Sequence, residues 1–309
     1  MNSHHSQLKA NIRWKQNAET IAGGNGRGDE LDQLRNPFGI YVDHQQQAIY
    51  IADYSNHCVI QWKLGENHGQ IVAGGNRIDK LNTPTDVIVD ENNESLIVSD
   101  FGNRRVVQYS LENLNSKQII IEHIGCEGLM MNANGDLFVS DRENHVVKRW
   151  RKDEIGKSKE GTVVAGGNGK GQQLNQLNVP TFIFIDQEET LYVSDERNHR
   201  VMKWYKDAKE GIVVAGGQGQ GSSLSQLNSP QGLIVNEVGD VYVIDNENHR
   251  LMCWSLESKE GRIVVGGNGK GKGPNQLSHP IGLSFDVENN LYVVDSGNDR
   301  IQRFFVDKN

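Results

Sequence analysis

Cysteine is scarce in this chain: three in 309 residues, and Cys58, Cys126 and Cys253 are too scattered for a disulfide framework or a zinc ribbon. That favours a reducing compartment. Proline is also rare, six residues against 34 glycines, and the glycines keep no three-residue period, which excludes a collagen-like chain. Positive charge is short, 32 Lys and Arg against 40 Asp and Glu for a net charge of -8, so the basic footprint of a nucleic-acid binder is missing. No apolar stretch approaches the roughly 18 residues of a membrane helix. Met1 to Gln16 has no apolar leader core, so a soluble chain without a secretory signal is expected, the cytoplasm being favoured unless a leader was removed.

What is present is a repeat. Tyr50-Ile-Ala-Asp53-Tyr-Ser-Asn56-His57 returns as Leu96 to Asn103, Leu137 to His145, Leu191 to His199, Val241 to His249 and Leu291 to Asn298. The aspartates, Asp53, Asp100, Asp141, Asp195, Asp245 and Asp295, are 47, 41, 54, 50 and 50 residues apart. Every copy keeps Asp-x-x-Asn, and nine residues after each Asp stands an aromatic: Trp62, Tyr109, Trp150, Trp204, Trp254 or Phe304.

Each unit reads as four short strands. The first follows a proline turn, as in Pro37-Phe-Gly39 and Pro230-Gln-Gly232; the second ends at the Asp; the third runs from the Asn to the aromatic; the fourth is Ile-Val-Ala-Gly-Gly or a close variant. Apolar strands at this spacing predict an all-β, six-bladed propeller of four-stranded antiparallel blades. The chain opens on a lone fourth strand at Thr20–Gly24 and stops after a third strand ending at Phe305, so the N-terminal strand is expected to complete the C-terminal blade and remove the open sheet edges. Residues 1–16 then form a flexible extension and 17–309 one propeller domain, in place of the two domains that length alone suggests.

The Asp-x-x-Asn-His-Arg phrase, plainest at Asp195 to Arg200 and Asp245 to Arg250, resembles the NHL repeat, and the resemblance runs from about Thr20 to the end. It implies a free-standing propeller. NHL propellers are mostly protein- or RNA-binding platforms, and related six-bladed propellers include lactonases, strictosidine synthase-like proteins and the peptidyl-amidating lyase.

The repeated Asp and Asn are expected to shape the hairpin between second and third strands, because their side chains bond nearby backbone amides and tolerate left-handed geometry. His57, His145, His199 and His249 follow the Asn, but equivalent mid-blade positions are separated by roughly 10 Å, from strand spacings of about 4.8 Å. One zinc ion needs its ligands within a few ångström of each other, so no shared metal and no cofactor is expected. The aromatics read as inter-blade packing, with Trp14 either the stub of another third strand or a plug on the closing seam. Gly266-Gly-Asn-Gly-Lys270-Gly271-Lys272 nearly has P-loop spacing, yet Gly273 stands where a Ser or Thr should be and no helix follows.

Function is expected where equivalent loops converge on the axis. Asp86 and Phe182 replace the glycine kept as Gly39, Gly128, Gly232 and Gly282. Blade three lacks both the Gly-Gly loop and the proline and has Glu122-His123-Ile-Gly-Cys126-Glu127 instead. Asp86, Glu127, Gln231 and His279 are the candidates for the channel mouth. Tyr54, Phe101, Arg142 and Arg197, in the two free positions after an Asp, are the candidates for partner contact, and Tyr and Arg are enriched at binding hot spots. The leading expectation is a monomeric, non-enzymatic platform for a protein, peptide or glycan. RNA suits the mixed charges less well, and no membrane partner is expected. The alternative is a metal-dependent hydrolase or lyase of the lactonase type, with Asp86 and Glu127 as calcium ligands and His279 or His123 as general base.

Overall fold

A computed structural model of the protein describes residues 12–75, 80–158 and 160–308. Six four-stranded antiparallel sheets follow one another around an axis. Blades one to five span residues 37–74, 84–122, 126–166, 180–216 and 230–266. The sixth combines Leu283–Phe285, Leu291–Asp295 and Arg300–Phe304 with the N-terminal strand Glu19–Gly23, which pairs antiparallel with Arg300–Phe304 as its outermost member. The ring is therefore closed by hydrogen bonds between the two ends of the chain. No helix among the described residues is long and apolar enough to cross a membrane.

Burial explains the sequence of the second strands. Ala48–Asp53, Leu191–Asp195 and Val241–Asp245 are buried at every residue, because each is covered on one face by its own neighbour blade and on the other by the next. Strands packed on both faces cannot alternate apolar and polar, so they read as continuous apolar runs. The recurrent aromatics lie between blades: Trp204 joins Phe138, Val147 and Ala165 of blade three to Ile183 and Val193 of blade four. Gly211 lies flat against that indole, where a Cβ would sit 2.8 Å from a ring carbon.

The Asp-x-x-Asn-His-Arg phrase is a knot of hydrogen bonds. Asp245, fully buried, accepts from the Asn228 amide at 2.7 Å, from Asn248 Nδ2 at 2.9 Å and from Arg250 Nε at 2.7 Å. Asn248 Nδ2 and Arg250 Nη2 also donate to the carbonyls of Gly221 and Ser223, which pins the glycine-rich loop across the top of its blade. The turn itself is one 3-10 turn, Asn246–Asn248, ended by His249 in the left-handed region at φ 55°. Each histidine ties one blade to the next: Nδ1 of His57, His145, His199 and His249 accepts the amides of Thr83, Val179, Ser229 and His279 at 3.0–3.2 Å. An imidazole that accepts at Nδ1 must be unprotonated there, and burial holds His145, His199 and His249 below the usual imidazole range. In blade six Asp299 takes the histidine's place, and its carboxylate accepts the Asn36 amide at 2.8 Å across the ring's seam.

The glycine pairs serve the same knot. Gly216 has φ +66°, and a Cβ there would stand 2.6 Å from the His199 carbonyl oxygen. Such loops cover hairpins rather than a nucleotide. At the N-terminus Trp14 is buried against Tyr242 and Phe285, donates Nε1–H to the Asn289 carbonyl at 2.8 Å and bridges Val306. It is thus a plug between blades five and six. Of the 1–16 extension, residues 1–11 lie outside the described residues.

Asp245→Ala leaves the Arg250 guanidinium buried without its partner. A loss of about 3–5 kcal/mol is expected in urea unfolding. A loss below about 1 kcal/mol would show that the knot is dispensable.

Candidate functional site: the channel mouth

Three rings of side chains converge where the inner strands begin. The first, one residue after the proline, is Phe38, Thr85, Glu127, Thr181, Gln231 and Ile281; in blade three Cys126 holds the proline's place, pairing with Asp141 as Pro180 pairs with Asp195. The second, one residue further on, is Gly39, Asp86, Gly128, Phe182, Gly232 and Gly282. Adjacent inner strands nearly touch here: a Cβ on Gly39 would lie 2.7 Å from the Asp86 Cα, and one on Gly282 2.6 Å from the Phe38 carbonyl oxygen. The third ring is the residue after each repeated Asp, from Tyr54 round to Ser296.

Phe38 and Phe182 belong to blades one and four, which face each other across six. Their rings stack at 5.9 Å and 17°, and Tyr54 also stacks with Phe38 at 5.6 Å and 26°. Phe182 is buried, while Phe38 and Tyr54 are half-buried, so the pair caps the axial channel and presents an aromatic edge to solvent.

Beside this plate lies a charged cluster. Arg142 Nη1 donates to both oxygens of Glu127, at 2.7 and 2.9 Å, and Nη2 is 3.6 Å from Glu196 Oε2. Its guanidinium stands 6.0 Å from the centroid of the Phe101 ring and remains a third exposed, whereas Glu127 is fully enclosed. Burial pushes the Glu127 carboxyl up to about 7 against the pull of Arg142. Burial also raises Glu196. For Arg142 desolvation works downward, and Glu127 outweighs it to hold the guanidinium above its ordinary value. Asp86, also buried, accepts the Leu129 amide at 2.9 Å and the Val87 amide at 3.0 Å. Burial still pushes it up to about 7, with Glu127 adding to the effect. Gln231 is 7% exposed, and its Oε1 is buried with no hydrogen-bond donor among the described residues.

Of the residues expected at the mouth, Glu127 and Gln231 stand in the first ring and Asp86 in the second, where it feels the Glu127 charge; His279 is in neither. His279 lies on the seam between blades five and six, edge-on to His249 at 4.7 Å, with Lys270 Nζ 2.9 Å from its Nε2 and Glu247 3.7 Å from its Nδ1. It precedes a proline at φ 44°, and that backbone turns its side chain along the seam. Tyr54 stacks on Phe38, and Arg142 stands over the Phe101 ring. Arg197 does not join them: the second free position after the Asp points outward, and Arg197 is exposed with Nε 3.4 Å from Glu196 Oε1. Glu196, in the first free position, is the residue that faces the mouth. His123 lies exposed beside Lys80, Arg104 and Glu122, apart from this cluster. Among the described residues no three His, Cys, Asp or Glu side chains are grouped to hold a metal. Phe38 was missed at the sequence level, although it is the single aromatic in its ring.

Glu127 has a folded pKa above its unfolded value of about 4.3, so it takes up a proton on folding and its burial costs most above pH 7. Arg142→Leu removes its counter-ion. The expected loss is about 3–5 kcal/mol at pH 8 and distinctly less at pH 5, where a neutral Glu127 needs no partner. Equal losses at both pH values, measured by urea unfolding, would contradict this pairing.

The comparisons with known proteins agree with the fold. The NHL repeat model matches residues 227–254 and 277–304, the last two copies of the phrase. No curated protein matches the chain. Among solved structures, an auxiliary nutrient binding protein from Bacteroides thetaiotaomicron superposes with a TM-score of 0.74 at 16% identity, over 94% of this chain and 76% of that one. A gluconolactonase from Xanthomonas campestris superposes with a TM-score of 0.64 at 13% identity, over 99% and 94% of the two chains. A virginiamycin B lyase from Staphylococcus aureus gives 0.55 at 11% identity, over 88% and 95%. At these identities the likeness is one of fold. Two matched repeats, four further copies of the same phrase and six closed blades make the chain an NHL-repeat six-bladed β-propeller.

Proposed function

We propose that the chain is a non-enzymatic binding propeller whose mouth docks a ring of its partner, a sugar of a glycan or a side chain of a peptide, on the Phe38–Tyr54–Phe182 plate. The observation that carries this reading is the aromatic stack across the axis, beside a guanidinium held in place but not used up. A flat apolar face gains by packing edge-to-face on the exposed aromatic edge of the plate. Its polar edge meets Arg142 as donor and Gln231 Oε1 as acceptor, and an acceptor buried without a donor favours a ligand that brings one. Phe101 and Glu196 flank the same guanidinium. RNA fits less well, since Glu127 and Glu196 neutralise Arg142.

The nutrient-binding propeller among the similar structures is compatible with this use of the fold. The hydrolase alternative, raised by the gluconolactonase, requires Asp86 and Glu127 to offer free oxygens to a metal. Both oxygens of Glu127 instead hold Arg142, and Asp86 lines the cavity beneath the Phe38–Phe182 pair, which Glu127 does not line.

Glycan and peptide arrays probed with the labelled protein identify the ligand, and titration calorimetry then measures it. Phe38→Ala is expected to weaken the best ligand at least about tenfold, roughly 1.4 kcal/mol, with little change in unfolding midpoint. Lys206→Ala, on the opposite side of the blades, is expected to leave affinity unchanged. Ligands bound equally by wild type and Phe38→Ala would place the binding surface elsewhere.

A further inference from the structure

Below the Phe38–Phe182 cap the axis is hollow. A cavity of about 160 Å³ is lined from Asp86, Phe182 and Gly232 at its capped end down to His44 in the first hairpin turn of blade one. Midway a ring of equivalent inner-strand residues surrounds it: Tyr41, Ile88, Met130, Phe184, Ile234 and Ser284. Five of the six are large and mainly apolar. Neither Glu127 nor Gln231 nor Tyr54 lines it, so it is separate from the mouth above the cap.

Two features select what such a cavity takes. Among the described residues Asp86 is the one ionisable group at its capped end; it is 6% exposed and each oxygen accepts one backbone amide, which leaves lone pairs with no cation beside them. At the other end the cavity emerges among six first-hairpin turns, residues 43–47, 90–94, 132–136, 186–190, 236–240 and 286–290. Twelve of those thirty residues are Asp or Glu and none is Lys or Arg. Part of that charge is met locally, as where Glu189 pairs with Lys206. The remainder surrounds a low-dielectric opening, an arrangement that concentrates cations and repels anions.

We infer that the axial cavity binds a small organic cation, an ammonium group on an apolar body, entering between the first-hairpin turns and directing its charge to Asp86. The apolar ring takes the body by burial, and the carboxyl at the end replaces part of the ammonium's lost hydration. An apolar cavity of about 150 Å³ holds one benzene ring, which sets the size of the body. The cavity shares Phe182 with the plate above it, but its occupant is a different ligand from the one proposed for the mouth.

Benzylammonium is the probe, with benzyl alcohol and benzoate as neutral and anionic counterparts, followed by calorimetry and by the methyl resonances of ¹³C-labelled methionine. Saturable benzylammonium binding that shifts the Met130 and Met131 methyls is expected, with benzyl alcohol at least about tenfold weaker and benzoate silent. Asp86→Asn is expected to remove the preference for the ammonium, and Ser284→Phe, which fills the ring, to abolish binding of both. Absence of saturable binding, equal binding of benzylammonium and benzyl alcohol, or shifts confined to other methionines would each overturn the site. These comparisons on the wild-type protein stand if either variant fails to fold.

Discussion

The structure depends on one buried carboxylate, repeated six times. Asp53, Asp100, Asp141, Asp195, Asp245 and Asp295 are fully enclosed, each at the end of a strand that is itself covered on both faces. An ion so placed is costly unless every oxygen is met by donors, and the Asn and Arg that follow, with a backbone amide from the preceding loop, meet that need in the last three blades. The hairpin, the loop before it and the arginine thereby become one unit. The histidine at the left-handed turn extends it to the next blade, and Asp299 performs the same step onto Asn36 where the two ends of the chain meet. Ring closure is thus a repeat of the ordinary blade contact rather than a special device.

Positions outside this unit are free to differ, and the mouth is made of them. The residue after each Asp, and the two after each proline, take no part in the knot. That is why Tyr54, Phe101, Arg142 and Glu196 vary on an otherwise constant frame. Blade three carries the largest departure: without the glycine-rich loop, its inner strand starts directly at Cys126, which places Glu127 under Arg142 and gives the mouth its charged cluster.

The fold was legible because six copies share one register, so strand order, blade number and the closing strand all follow from counting. The mouth was legible only in part. Register tells which face a residue occupies but not its distance from the axis, and His279 and Arg197 were both placed too far inward for that reason. The contact of Phe38 with Phe182 joins opposite blades, a relation that no local pattern encodes and that appears only once the ring is closed. Glu196 stood in plain view beside Arg197, and what decides between them is the outward turn of the second free position after the Asp. The two ends of the axis also differ in a way the repeat conceals. One end is capped by aromatic rings beside a bound guanidinium, and the other opens among acidic turns.

The central claim is that partners are met at the capped mouth. Hydrogen–deuterium exchange with and without the ligand found on the arrays tests it most directly. The account predicts slowed exchange at residues 38–40, 54–56, 101–103 and 142–144, with the outer strands unchanged. Protection confined to the outer strands or to the first-hairpin turns would contradict it.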